Sequence, residues 1–296
     1  VLLNLDGYVP GPMPAPGGQL ADRWIASRLA AVCQAVSRNL EEYRFADVTR
    51  QVYDFLWRDY CDWYVEIAKA RLVALDLEAR AHVQAMLVHV LEQALRLMHP
   101  IMPFVTEHLW QSLPLADRPA SIMVAAWPQA DAGWADAEAE AAMARVQEAV
   151  TAVRQIRSEM NVPPARKVQV IVSTRSAAAA TDLSLGQEYL QLLARAEGVT
   201  IGPGLAQPPA SGTAVVGEAE IFVPLAGLID LEVERSRLDK EAAKFRRLLA
   251  GLDGKLSSAA FLDKAPPEVV ERERERRREY GASLERLEAS LARLAG

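Results

Sequence analysis

Five arginines, Arg272, Arg274, Arg276, Arg277 and Arg278, fall within seven positions and form the densest cationic cluster of the chain. On a helical projection Arg272 and Arg276 make one stripe, and Arg274 and Arg278 another. Guanidinium stripes of this kind suit contacts to the phosphates of a folded RNA. The interleaved Glu271, Glu273, Glu275 and Glu279 equally fit an internally paired, solvated helix face, so both readings stand. A second group able to do chemistry is aromatic. Seven of the nineteen rings lie between Phe45 and Leu72: Phe45, Tyr53, Phe55, Trp57, Tyr60, Trp63 and Tyr64. That exceeds what one core stripe needs, so the surplus covers neighbouring helices or meets a ligand. Within Cys61-Asp62-Trp63-Tyr64, Trp63 is expected to pack. Tyr64 and Val65 project away from the main stripe, where an unstacked base could meet them.

Other chemistries find little support. No GxGxxG, P-loop, HExxH or CxxC pair occurs. His82 and His89 share a helix face, yet no cysteine or carboxylate joins them at ligand spacing, and His99 and His108 stand apart. All four read as core or surface histidines. Cys33 and Cys61 sit on separate predicted helices and fit reduced core residues better than a disulfide or metal site. No catalytic residue, metal or cofactor is therefore expected in this chain. The net charge is −6, but residues 229–296 hold 15 basic and 14 acidic side chains, so the total does not decide whether RNA is a partner. No apolar run is long enough for a bilayer, and VLLNLDGYVPGP lacks the features of a signal peptide. A cytoplasmic protein without a membrane partner is expected.

Periodicity supplies the elements that position these residues. A chain of 296 residues is long for one core. Residues 1–18, rich in Pro and Gly, read as a linker. Residues 19–130 read as an antiparallel helical bundle. Its helices span Leu20 to Tyr43, Phe45 to Leu72 (unbroken by Pro or Gly, with Phe45, Val48, Val52, Phe55, Leu56, Trp63 and Ile67 on the inner stripe), Glu78 to Met98, and Pro103 to Leu113. A short extended piece is possible at Ile122 to Trp127. Residues 131–228 read as a helix, Trp134 to Met160, followed by a small α/β unit. Its strands are expected at Lys167 to Thr174, Val199 to Gly202 and within Ala214 to Leu225, with a helix from Leu183 to Ala196. In residues 229–296, Leu231, Leu238, Phe245 and Leu252 recur at seven, as do Tyr280, Leu287 and Leu294 after a break at Ala265-Pro266-Pro267. Two heptad helices so joined fold back as an antiparallel coiled-coil hairpin, with intermolecular pairing as the rival. The fold class expected is thus mainly α, with a helical bundle, a small α/β unit and a coiled-coil hairpin.

With these residues in view, the chain resembles the C-terminal part of the bacterial valyl-tRNA synthetase family of class I enzymes, over essentially its whole length. Ala21-Asp22-Arg23-Trp24-Ile25, Ser27-Arg28-Leu29, Cys61-Asp62-Trp63-Tyr64 and His99 to Trp110 are similar to the anticodon-binding bundle that isoleucyl and leucyl enzymes also carry. More specific are Arg154 to Val162, Val223 to Asp230, and heptads broken by Phe261, Asp263-Lys264-Ala265-Pro266 and Glu268-Val269-Val270. Lys255-Leu256-Ser257-Ser258-Ala259 distantly resembles the KMSKS nucleotide loop, but it lacks the second lysine and Leu256 sits in the seam, so it reads as coiled coil.

The resemblance implies a division of labour. The bundle would grip the anticodon stem and loop, placing Tyr64 and Val65 beside the anticodon bases. The arm would reach the tRNA elbow through Arg276, with Lys255 and Arg272 as further candidates. ATP binding and editing would lie upstream, the start at Val1-Leu2-Leu3-Asn4 fitting an excised piece. The parent would join valine to its tRNA with ATP, while this chain would bind tRNA as a monomer, without DNA, and catalyse nothing. The alternatives are a scaffold that dimerises through 229–296, or the same portion of an isoleucyl or leucyl enzyme.

Overall fold

The computed structural model describes residues 4–295 apart from 13, 74–75, 117, 130, 229–230, 259–260, 262 and 264. Val1, Leu2, Leu3, Ile229, Asp230, Ala259 and Lys264, invoked above, lie outside the described residues, as do the side chains of Leu231 and Leu294. The chain is mainly α with one small sheet, as its periodicity implies. It divides into two compact units, residues 1–147 with 181–193, and residues 148–180 with 194–296.

The first unit is the helical bundle. Helix α1 (Leu20–Glu41) ends where Tyr43 adopts a left-handed φ of 58° and the Arg44 N–H returns to the Asn39 carbonyl, a common way to close a helix. The aromatic segment follows as α2 (Phe45–Asp54), a π-helical stretch (Phe55–Tyr64) and α3 (Val65–Leu72). Helix α4 (Leu77–Met98) starts on Asp76, whose carboxylate accepts the Glu78 and Ala79 N–H groups, and α5 (Pro103–Ser112) starts on a proline that has no N–H to lose. Trp24, Ile25, Val36, Val52, Phe55, Met86, Leu87, Val90 and Leu97 fill the core. The possible strand at Ile122 to Trp127 does not form. Ile122–Val124 is a short 3-10 turn, because the Glu107 carboxylate takes both the Ser121 hydroxyl and the Ile122 N–H while Ile122 packs beside Leu95, Trp110 and Leu113.

Helix α6 (Ala137–Glu159) leads into the second unit, whose sheet has the order β2-β1-β4-β3. Strands β1 (Val168–Thr174) and β2 (Ala196–Gly202) are parallel; the chain between them runs through α7 (Ala177–Leu185) and α8 (Gln187–Leu193), so the single helix expected at Leu183 to Ala196 is two, parted at Gly186. Strands β3 (Ser211–Val216) and β4 (Ala219–Pro224) form a hairpin in which β4 also pairs antiparallel with β1. Its two-residue loop uses Gly217 at φ 54°, as such turns require. Val150, Val153, Ile156 and Met160 of α6, Val168, Val170 and Val172 of β1, and Ile221 and Val223 of β4 are all buried.

Gly212 of β3 lies so close to α6 that a Cβ there would stand 2.3 Å from Cγ2 of Ile156. Gly212→Ala is therefore expected to overpack this interface and lower stability by ~1–3 kcal/mol. A denaturant midpoint equal to the parent's would show that α6 can move aside.

Helices α9 (Leu231–Leu256) and α10 (Pro267–Ala295) pack antiparallel as the expected hairpin. Leu238 and Ala242 are buried in the seam, and the Phe245 and Tyr280 rings meet edge-on at 5.6 Å. Arg246 with Glu288 and Lys255 with Glu273 tie the two helices together.

Candidate nucleic-acid interfaces

The aromatic segment departs from the expected uninterrupted α-helix. Its buried residues are Val48, Val52, Phe55, Tyr60, Tyr64 and Ile67, with a five-residue step between Phe55 and Tyr60. That step matches the wider turn of a π-helix, which moves the inward stripe off the 3.6-residue period. Of the residues expected on the inner stripe, Leu56 and Trp63 are only partly covered and Phe45 is exposed. Tyr60 and Tyr64 take the interior instead. The Tyr60 hydroxyl donates to the Leu87 carbonyl at 2.8 Å, and the Tyr64 hydroxyl donates to Oδ1 of Asp22 at 2.8 Å.

The expectation that Tyr64 projects from the packed stripe is thereby corrected: its relative exposure is 0%, and its ring has no face to offer a base. Burial, and then the Asp22 charge, push its phenol well above the usual range. Asp22 is also fully buried; Oδ1 accepts Arg71 at 2.7 Å, and Nε2 of His82 lies 3.3 Å from Oδ2. The Tyr189 hydroxyl sits beside this cluster, accepting the Ala21 N–H and donating to the Gln19 side chain. Tyr64 is thus a positioning residue of the bundle. Val65, one residue on, is partly exposed.

The surplus rings are Tyr53 and Trp57, 57% and 55% exposed. They stack on each other with centroids 6.0 Å apart and planes 8° from parallel. Such a pair offers an outer ring face on which an unpaired base could extend the stack. Val65 begins the α-helical turn that follows the π-helical stretch and is partly exposed. Exposed Arg50 and Arg58 flank the rings, each held by an acid on its own helix, Asp47 and Asp54. Close by, Tyr43 and Phe45 are exposed and meet edge-on at 6.2 Å. Sequence reasoning detects the excess of rings without identifying which of them stay outside. The signal that could have found them is the Phe55-to-Tyr60 spacing.

On the arm, most of the arginine cluster is neutralised. Glu271 pairs with Arg274 and Arg278 at 3.5 and 3.1 Å, and Asp253 with Arg277 across the hairpin. Lys255 lies 2.8 Å from Oε1 of Glu273 and over the Phe261 ring at 5.0 Å, while Arg276 reaches the same carboxylate only at 3.8 Å. Arg272 is exposed, and among the described residues its guanidinium has no hydrogen bond or ion pair. The structure therefore orders the three candidates. Arg272 is the most available, Arg276 is loosely held and Lys255 is committed to the hairpin. Among the described residues no three His, Cys, Asp or Glu side chains gather as a metal site, both cysteines are free thiols, and no helix is long and apolar enough to cross a membrane.

Comparison with known proteins gives two domain matches and a set of relatives. Residues 22–172 match the profile described as the anticodon-binding domain of tRNA ligase, and residues 230–295 match that of the valyl tRNA synthetase tRNA binding arm. The chain is similar to the valine–tRNA ligase of Syntrophotalea carbinolica, 40% identical over 297 residues covering 99% of this chain and 33% of that protein. It is also similar to those of Bacillus cereus, 40% identical over 296 residues, and Bacillus subtilis, 36% over 296, in each case across 100% of this chain and 33% of the relative. The chain thus spans about a third of the length of these curated relatives.

Proposed function

The chain belongs to the anticodon-binding-domain family of tRNA ligases, and on that premise we propose that it is the tRNA-recognition portion of a valine–tRNA ligase. The observation that carries this reading is the order of the two matches, an anticodon-binding bundle followed by a tRNA-binding arm in one chain. In this reading the bundle holds the anticodon stem and loop, with the Tyr53–Trp57 stack and Val65 beside the unpaired bases. The arm meets the tRNA elbow through Arg272 and Arg276, and Lys255 fixes the hairpin that presents them. The longer protein joins valine to its tRNA with ATP; this portion selects and orients the RNA and makes no bond. It works in the cytoplasm as a monomer, its heptad faces being satisfied within one hairpin, and has no DNA partner.

The test is a gel-shift comparison of a valine-accepting tRNA with the same tRNA carrying an altered anticodon. Tighter binding of the first is expected, and equal binding of both would sink the anticodon reading. For the arm, Arg272→Ala with Arg276→Ala is expected to weaken tRNA binding and flatten its salt dependence by about 0.7–0.9 in log–log slope for each phosphate no longer neutralised. Thermal stability should hold, because neither side chain anchors the hairpin seam. A fall in stability with unchanged affinity would make both arginines structural.

A further inference from the structure

A second concentration of positive charge lies outside the arm, at the edge of the sheet where β1 and β2 begin. It is built around Arg157, which is 8% exposed and, among the described residues, has no carboxylate partner. Its guanidinium donates to the carbonyls of Arg166 at 2.9 Å, Pro164 at 3.3 Å, and Pro163, Ala194 and Arg195 at 3.4 Å. The peptide oxygens satisfy its hydrogen bonds, but they leave its charge uncancelled. Desolvation, and then the charge of Arg195, push it below the usual arginine range.

This clasp draws two loops together. Arg195, at a left-handed φ of 53°, turns its carbonyl toward both Arg157 and the Val168 N–H, and its own guanidinium donates to the Pro164 carbonyl at 2.9 Å. Arg166 and Lys167, the two residues before β1, are therefore held beside Arg195, the residue before β2. All three are exposed. Among the described residues, the side chains of Arg166 and Lys167 have no hydrogen bond or ion pair. The nearby carboxylates Glu159 and Glu197 accept from Gln155 and Gln169, respectively. The contrast with the arm is one of charge balance. There the arginines are largely met by acids, whereas here four cations, Arg157, Arg166, Lys167 and Arg195, outnumber the two carboxylates Glu159 and Glu197, and the hydrogen bonds of Arg157 and Arg195 go to neutral carbonyls.

We propose that Arg166, Lys167 and Arg195 form a further RNA-backbone contact, a phosphate-binding edge on the α/β unit that the Arg157 clasp assembles. The inference rests on the tRNA-recognition reading and adds a binding surface to it. Because the contact is to phosphate, it strengthens binding without reading sequence.

The experiment is filter binding of a valine-accepting tRNA to the full chain over a salt series. The unaltered chain is compared with Arg166→Gln/Lys167→Gln, and with Arg175→Gln as a single-charge control at the other end of β1. The double variant is expected to lower the log–log salt slope by about 1.5 and affinity about tenfold or more near 0.1 M salt. Its melting curve, its preference for the matching anticodon and the behaviour of Arg175→Gln should all stay as in the parent. An unchanged slope and affinity in the double variant, with the unaltered chain binding normally, would overturn this inference alone. A loss of anticodon preference would also overturn it, since a backbone contact carries none. If the unaltered chain fails to hold tRNA at any salt concentration, the recognition reading falls and the inference falls with it.

Discussion

Asp22→Ala is expected to cost the bundle ~3–5 kcal/mol, the loss typical of removing one partner from a buried ion pair. Asp22 is wholly buried and accepts both the Tyr64 hydroxyl and the Arg71 guanidinium. Its removal leaves a largely covered cation without a counter-charge and a buried phenol without an acceptor. Against a domain stability of about 5–15 kcal/mol, that leaves a substantial unfolded population. Asp22→Asn keeps one acceptor oxygen for Tyr64 but loses the charge and turns the second oxygen into a donor NH2, so it should fall between parent and alanine variant. Urea unfolding of the three proteins makes the comparison. A loss below about 1 kcal/mol for the alanine variant would mean that water replaces the carboxylate and that the cluster does not fix Tyr64.

The second large effect concerns binding. Tyr53→Ala with Trp57→Ala is expected to weaken tRNA binding by ~1–3 kcal/mol, about 5- to 150-fold, the range for removing one base–aromatic stack. Both rings are more than half exposed, so the melting temperature should change little. Trp57→Phe preserves a flat face and should recover most of the affinity. Unchanged affinity in the double variant would remove the platform from the interface. A parallel fall in stability and binding would make the two rings packing residues of the bundle.

Periodicity is enough to read the bundle, the sheet strands and the hairpin, because apolar stripes at 3.6, 2 and 3.5 residues are local signals. It fails at Phe55–Tyr64, where the helix is wider than the α-helical period assumes. That period puts Tyr64 outside and Trp63 inside, whereas the structure buries Tyr64 and covers Trp63 only partly. The force behind the reversal is tertiary. The phenol hydroxyls meet the Leu87 carbonyl and the Asp22 carboxylate, and neither partner is near in sequence. On the arm the cluster is visible in the sequence but its pairing is not, since each arginine has several glutamates within helical reach and only the partner helix decides between them. Arg157 is harder still. It sits on α6 beside Ile156 on an apolar stripe, and its role depends on carbonyls as far away in sequence as Arg195.

The path of the backbone bears on any attempt to take the protein apart. Between Ala180 and Ala194 it leaves one compact unit, contributes a stretch to the other and comes back. That excursion supplies Tyr189, beside Asp22, and Asp182, which pairs with Arg145. No single cut therefore releases both halves intact. A gene truncated after Gln147 would encode helices lacking a piece of their own packing, and swapping such modules between relatives calls for two junctions at each border.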